Sequence, residues 1–234
     1  MSWAPLSLVV MMYQVLISAV VGSKVEILFS FFLFIIVLSS WGLEPLMLGV
    51  NYLQYKQFML LVIVSELMFF MSCLSASVIL AKSGWEGYYS VVDFWAVPVF
   101  ISILLLSSGV TVTGVHLCLC SGEGESSSYW WFITVVMGAL FIVVQTYEWG
   151  FLNLWFSCGV GGSLFFLVTG FHGLHVLLGV VFNSCCFFMW LLCLGGGGSS
   201  GLFKLTVSEC VIWYWHFVDV VWLLVLVGIY WFCV

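Results

Sequence analysis

The side chains best placed for chemistry lie inside otherwise apolar stretches: Glu66, His116, Glu148, His172, His175, Glu209, His216 and Asp219, a set that takes in all four histidines. Ionisable groups are costly at bilayer depth and mark either a working site or a buried contact. The densest run is "WYWHFVDVVW", residues 213–222. On a helix, Glu209 and His216 fall within about 20° of each other and Asp219 about 60° further round. They form one polar stripe, while Tyr214, Val218 and Val221 point elsewhere. His216 and Asp219, at i and i+3, are close enough for their side chains to meet. The stripe admits a proton relay or ligand site, or a clasp hydrogen-bonded to neighbouring helices. The clasp is the reading adopted here.

A second set is "TGFHGLHVLLG", where Thr169, His172 and His175 follow an i, i+3, i+6 path. Gly170, Gly173 and Gly179 have no side chains and would let a neighbouring helix come close. The two histidines are only ~4.5 Å apart along the axis, too near to serve two haems in one bundle. A single non-haem site drawing on His116, His172, His175 and His216 is geometrically open, but no His-Glu-x-x-His or carboxylate cluster supports it. Glu66 stands alone in "LLVIVSELMFFMSC", about ten residues into its span. Desolvation there favours the neutral acid unless a cation or a donor is near. Proton binding and a protonated acid bonded to a neighbouring helix are both open for it.

These side chains need elements that hold them at depth, and composition says which. Of 234 residues, 65% are hydrophobic and 6% charged, with mean hydropathy +1.28. A soluble domain carries about 25% charged residues, so this is an integral membrane protein. The net charge of −6 and the lack of arginine argue against nucleic acid. The only cations are Lys24, Lys56, Lys82 and Lys204. The nine cysteines contain no Cys-x-x-Cys and read as small apolar residues. Nothing has the pattern of nucleophilic catalysis, and Gly195–Gly198 lacks the lysine of a phosphate loop.

Apolar runs long enough to cross a bilayer fall at about 4–21, 25–42, 57–81, 95–119, 129–152, 161–194 and 205–233. The segments lack the alternation of a barrel strand, and helices then satisfy the backbone in lipid. The start reads as a first membrane helix rather than a cleaved signal. Loop lysines divide evenly between the two sides, so charge bias does not set the orientation.

Four blocks then resemble cytochrome c oxidase subunit III, of the haem–copper oxidases: "SELMFF" (65–70), "LLLSSGVTVTGVH" (104–116), "FLVTGFHGLHVLLG" (166–179) and "WYWHFVDVVW" with "IYW" at 229–231. "QTYEW" (145–149) adds a weaker match, and the first two spans match by hydropathy and order only. The resemblance implies an all-α integral membrane protein of seven transmembrane helices. A two-helix bundle (1–42) and a connecting loop (43–56) would precede a five-helix bundle (57–234), with a lipid-holding cleft between the bundles. It implies no haem or copper in this chain, those being carried by partner subunits. Subunits I and II and accessory subunits would be its partners, with structural phospholipid retained and proton uptake supported. It places Glu66 beside the cleft and gives His175, Glu209, His216 and Asp219 family counterparts. The setting would be the mitochondrial inner membrane with the N-terminus on the matrix side, and the lack of arginine suits an organelle-encoded chain. The sequence departs from the family at Gly114, where a tryptophan is usual, at Leu117 for a histidine, and at Met189 for an arginine. "LSASVIL" replaces an aromatic and histidine-bearing helix end, while Lys56 stands where a base is expected.

Two other readings compete. An ion- or proton-coupled transporter would use Glu66 and Asp219, and should show matched broken helices in two halves. A histidine-ligated membrane metalloprotein should retain metal when isolated alone.

Overall fold

A computed structural model describes residues 52–81, 97–152, 156–157, 159–192 and 200–231. The expected spans 4–21 and 25–42, most of the loop 43–56, and the cleft between bundles lie outside these residues. Five long helices are present: α1 (Tyr52–Ala81), α2 (Val97–Ser121), α3 (Gly124–Phe151), α4 (Gly159–Leu192) and α5 (Ser200–Val225). A π-helical turn, Leu226–Trp231, continues α5. Each helix is long and apolar enough to cross a membrane.

α1, α3 and α5 each begin earlier than the apolar runs in the sequence do. α1 takes in Lys56, which had marked the end of a loop, because a lysine's apolar stem lies along a helix while its head finds a partner. A tight turn at Gly122 and Glu123 joins α2 to α3. Gly122 takes φ +79, Gly122 N–H donates to the Leu119 carbonyl and Glu123 N–H to that of Cys118, which closes α2 in the glycine-dependent manner. α3 then starts at once, at Gly124.

α2 packs on α3, α3 on α4, α4 on α5, and α5 returns to α2, making a closed ring of four. α1 stands outside this ring and reaches it through long side chains. Lys56 meets Glu209 near the starts of α1 and α5, and Leu74 approaches Gly228 further along, so the two helices run parallel. Phe69 meets Phe171 and Phe70 meets His175 on α4, with ring centroids 5.2 Å apart in each pair. Outward-facing positions such as Leu61, Met68, Ile79 and Val110 are as apolar as the interior.

Because lipid competes equally for apolar surface, packing and interhelical hydrogen bonds must hold the ring together. Trp215 of α5 is fully buried, in a recess opened by two glycines. A Cβ at Gly138 of α3 would stand 2.6 Å from its ring, and one at Gly179 of α4 would stand 2.7 Å away. Its Nε1–H donates to Ser108 Oγ of α2 at 2.9 Å, so one indole ties three helices to α5. Two turns on, Trp222 donates to Ser102 Oγ at 2.9 Å and packs edge-on against Phe141. Each serine also donates to a carbonyl of its own helix, Ser108 to Leu105 and Ser102 to Pro98, so each hydroxyl both gives and accepts.

Candidate functional site

Glu66 and His175 meet across the α1–α4 contact, each near the middle of its span, with Glu66 Oε2 3.3 Å from His175 Nε2. The other ring nitrogen, Nδ1, is 2.7 Å from the Phe171 carbonyl. A carbonyl only accepts, so Nδ1 carries a hydrogen. Nε2 is then bare in a neutral ring, and its contact with Glu66 needs one more proton. Either Glu66 O–H donates to Nε2, or Nε2–H of an imidazolium donates to the carboxylate. In both cases the pair holds a proton beyond that of a neutral imidazole beside a carboxylate. The partner that Glu66 finds is therefore this histidine, supplied by a helix 109 residues away in sequence. Phe70 and Tyr214 wall the imidazole, and Tyr214 O–H donates to the His175 carbonyl at 3.2 Å. The Glu66 side chain keeps 38% of its surface exposed, so the pair is open on one side.

The stripe on α5 divides between two neighbours. Glu209 pairs with Lys56 of α1, both half-buried. Asp219 turns to α2 and is wedged against Gly109, where a Cβ would stand 2.5 Å from its Oδ2. His216 lies between them with its Nδ1 3.8 Å from Asp219 Oδ2, within ion-pair range but too long for a hydrogen bond. The angles read from the sequence hold, but they do not say where adjoining helices stand. α1 and α2 approach α5 from different directions, and each takes one acid.

His172 points inward, away from His175. Its Nε2–H donates to the Val218 carbonyl at 3.3 Å, and the ring lies 4.9 Å from that of Trp222. His116 sits exposed near the end of α2, 3.9 Å from Cys120 Sγ. Among the described residues, no three side chains of His, Cys, Asp or Glu converge on a point.

The glycines need a correction. Only Gly179 makes a close approach, to Trp215. A Cβ at Gly170 or Gly173 would rest 3.9 or 3.7 Å from Trp149 of α3, an ordinary contact. Both face a flat indole at normal distance, so neither admits a backbone. Two further positions where a Cβ would collide, Gly109 and Gly138, lie outside the histidine motif that drew attention to Gly170 and Gly173.

A cluster at one end of the bundle had shown only its carboxylate in the sequence. Glu148 of α3 is buried, accepts from Gln145 Nε2 at 3.1 Å, and accepts from Tyr230 O–H at 3.2 and 3.3 Å. Tyr230 belongs to the π-helical turn. A polar Gln-x-x-Glu in an apolar span was the available signal, but its phenol partner is 82 residues away.

One departure from the family pattern acquires a structural setting. The missing side chain at Gly114 leaves room for Trp130 of α3, whose ring would lie 3.0 Å from a Cβ there. A tryptophan at position 114 would collide with it. Lys56, the one base that keeps its expected place, is the partner of Glu209.

The family model for cytochrome c oxidase subunit III matches residues 43–234. Curated relatives agree. The chain is 36% identical over 181 residues to cytochrome c oxidase subunit 3 of Anopheles gambiae, covering 74% of this chain and 67% of that protein. It is 34% identical over 185 residues to the subunit 3 of Chondrus crispus, covering 74% and 64% respectively. With that of Tragelaphus imberbis it shares 41% over 140 residues, 58% of this chain and 50% of the relative. The matched stretches span half to two thirds of these relatives' length, and residues 43–234, matched by the family model, contain the Glu66–His175 contact and the whole of α5. By this match, the chain belongs to the cytochrome c oxidase subunit III family.

Proposed function

We propose that the chain is a non-redox membrane subunit of cytochrome c oxidase, respiratory complex IV, in the mitochondrial inner membrane with its N-terminus on the matrix side. It packs against subunit I, beside subunit II and accessory subunits, retains structural phospholipid, and supports proton uptake during oxygen reduction and proton pumping. Haem a and copper belong to the partner subunits, and no catalytic centre lies in this chain. Family membership over residues 43–234 carries this reading. The proton role draws support from the Glu66–His175 pair, a proton-holding contact at mid-span that remains partly open. A transporter gains no comparable support, since the described helices run unbroken through mid-span.

The test is purification in mild detergent under native conditions. The chain should co-migrate with haem a absorbance in a fixed ratio. A chain that never does so overturns the assignment.

A further inference from the structure

Glu148, Gln145 and Tyr230 form one hydrogen-bonded unit, at the end of the bundle opposite the Lys56–Glu209 pair. Two polar atoms of α3 at this end have no hydrogen-bonding partner among the described residues. Gln145 is 2% exposed and gives its Nε2–H to Glu148, which leaves its amide oxygen, Oε1, buried and unpaired. Four residues on, the indole N–H of Trp149 is also buried and unpaired. Buried donors and acceptors are costly to leave dry, and in folded chains nearly all find a partner in protein or ordered water.

The two atoms are complementary, one an acceptor without a donor and the other a donor without an acceptor. Residues four apart lie about 40° apart around a helix and ~6 Å apart along it, on one face. Polar groups so placed and not in direct contact are commonly joined through one water. α3 and α4 do not close tightly at this level. A Cβ at Gly170 or Gly173 would rest 3.9 or 3.7 Å from the edge of the Trp149 ring that lies away from its N–H. A buried water needs two to four polar partners, and Glu148 supplies a third. Gln145 Nε2 is 3.1 Å from Glu148 Oε2, and Gln145 Oε1 is bonded to the same carbon as that nitrogen, so a water on Oε1 can reach the carboxylate. The two oxygens of a carboxylate take about four hydrogen bonds, and here they receive Gln145 and Tyr230.

From these observations we infer that Gln145 and Trp149 form a binding site for one internal water molecule, which accepts from Trp149 Nε1–H, donates to Gln145 Oε1 and gives its second hydrogen to Glu148. The chemistry of the lining selects this occupant. A cation would face the Trp149 N–H, and an anion would face Gln145 Oε1 and the Glu148 carboxylate. The site therefore takes a small neutral group that both donates and accepts. Bound there, the water extends the unit from Tyr230 on the π-helical turn, through Glu148 and Gln145, to the indole that lies on α4. The site is built from this chain alone and does not depend on the oxidase assignment.

The test is electron cryomicroscopy of the native complex, purified in mild detergent, at a resolution that shows ordered water. An isolated peak should stand about 2.7–3.2 Å from both Trp149 Nε1 and Gln145 Oε1. A direct hydrogen bond between the two side chains, a main-chain carbonyl of residues 153–158 seated on Trp149 Nε1, or no peak at all overturns the inference. Gln145→Met has similar length and no polar atom, and should abolish the peak while the Trp149 ring keeps its place. An undiminished peak in that variant would overturn Gln145 as a ligand. Should Gln145→Met fail to assemble, Trp149→Phe removes the donor, keeps an aromatic ring, and should lower the occupancy of the peak about twofold or more. Unchanged occupancy there would overturn the inference as well. Particles that lack haem a would overturn the oxidase assignment and leave the peak to be read in the same way.

Discussion

Glu66 of α1 and His175 of α4 lie 3.3 Å apart, and the second ring nitrogen of the histidine is committed to the Phe171 carbonyl. The contact therefore exists only with an added proton, on one partner or the other. It is also one of the few polar ties that α1 has to the ring of four helices. On the function proposed above, this one contact would both dock α1 and hold a proton.

Glu66→Gln separates these duties. The amide is nearly isosteric and its N–H donates to the bare Nε2, so docking should survive and the haem a content of the purified complex should stay near normal. The stored proton is lost, and proton uptake and sustained oxygen consumption should fall. Loss of assembled complex would show instead that a charged Glu66 pairs structurally.

Alanine substitutions rank the glycines. Gly179→Ala and Gly138→Ala drive a methyl into the Trp215 ring and should each destabilise by about 1–3 kcal/mol. Gly170→Ala and Gly173→Ala meet Trp149 at normal distance and should be neutral or stabilising by up to about 1 kcal/mol. Thermal unfolding of the complex in detergent, followed by tryptophan fluorescence, reads the difference.

Ser108→Ala removes the acceptor for Trp215 Nε1 while keeping the shape of the site. A buried indole N–H left unpaired should cost about 1–3 kcal/mol. In a double-mutant cycle with Trp215→Phe, the coupling should be near 0.6 kcal/mol, the usual size of interhelical hydrogen bonds in lipid. A coupling of zero would mean that the recess holds the indole by shape alone.

The Lys56–Glu209 pair is half-buried near the ends of α1 and α5, where its net worth should be about 1 kcal/mol or less. Lys56→Glu puts two acids together and should reduce the assembled complex. Restoring the pair in the swapped order, Lys56→Glu with Glu209→Lys, should recover most of it on native electrophoresis.

Tyr230→Phe leaves the buried Glu148 with Gln145 as its remaining donor among the described residues. The expected cost is about 1 kcal/mol, and it should not add to that of Glu148→Gln, because both act on one hydrogen-bonded unit. Midpoints of thermal unfolding for the two single variants and the pair would show this.

How far the sequence could be read depended on what each signal measures. Unbroken apolarity over 18 or more residues is a statement about lipid, and it located all five described helices. The same apolarity hides which face is buried, because Leu61 or Val110 toward lipid and Leu105 or Val112 toward the core are alike in composition. Angles on α5 gave the spacing of Glu209, His216 and Asp219 around their own helix. The division of their partners between α1 and α2 is a tertiary fact with no local trace. Gly170 and Gly173 drew attention by standing among histidines, whereas Gly138 and Gly109 matter because of one indole and one carboxylate that arrive from α5. Tyr230 reaches Glu148 from a turn whose π geometry no periodicity announced.

The Trp215 recess has a further consequence, for the order of events during synthesis. α2, α3 and α4 leave the ribosome before α5, and N-terminal segments ordinarily settle first. Until α5 arrives, Gly138 and Gly179 line an unfilled gap, and Ser108 has no indole to receive. The earlier helices can insert and pack in pairs, Trp130 of α3 against Gly114 of α2 and Trp149 of α3 against Gly173 of α4, but the ring stays open. Closure of the ring is reserved for the last helix, so a chain interrupted before residue 215 should remain a loose, protease-sensitive assembly of spans, the state that membrane quality control recognises.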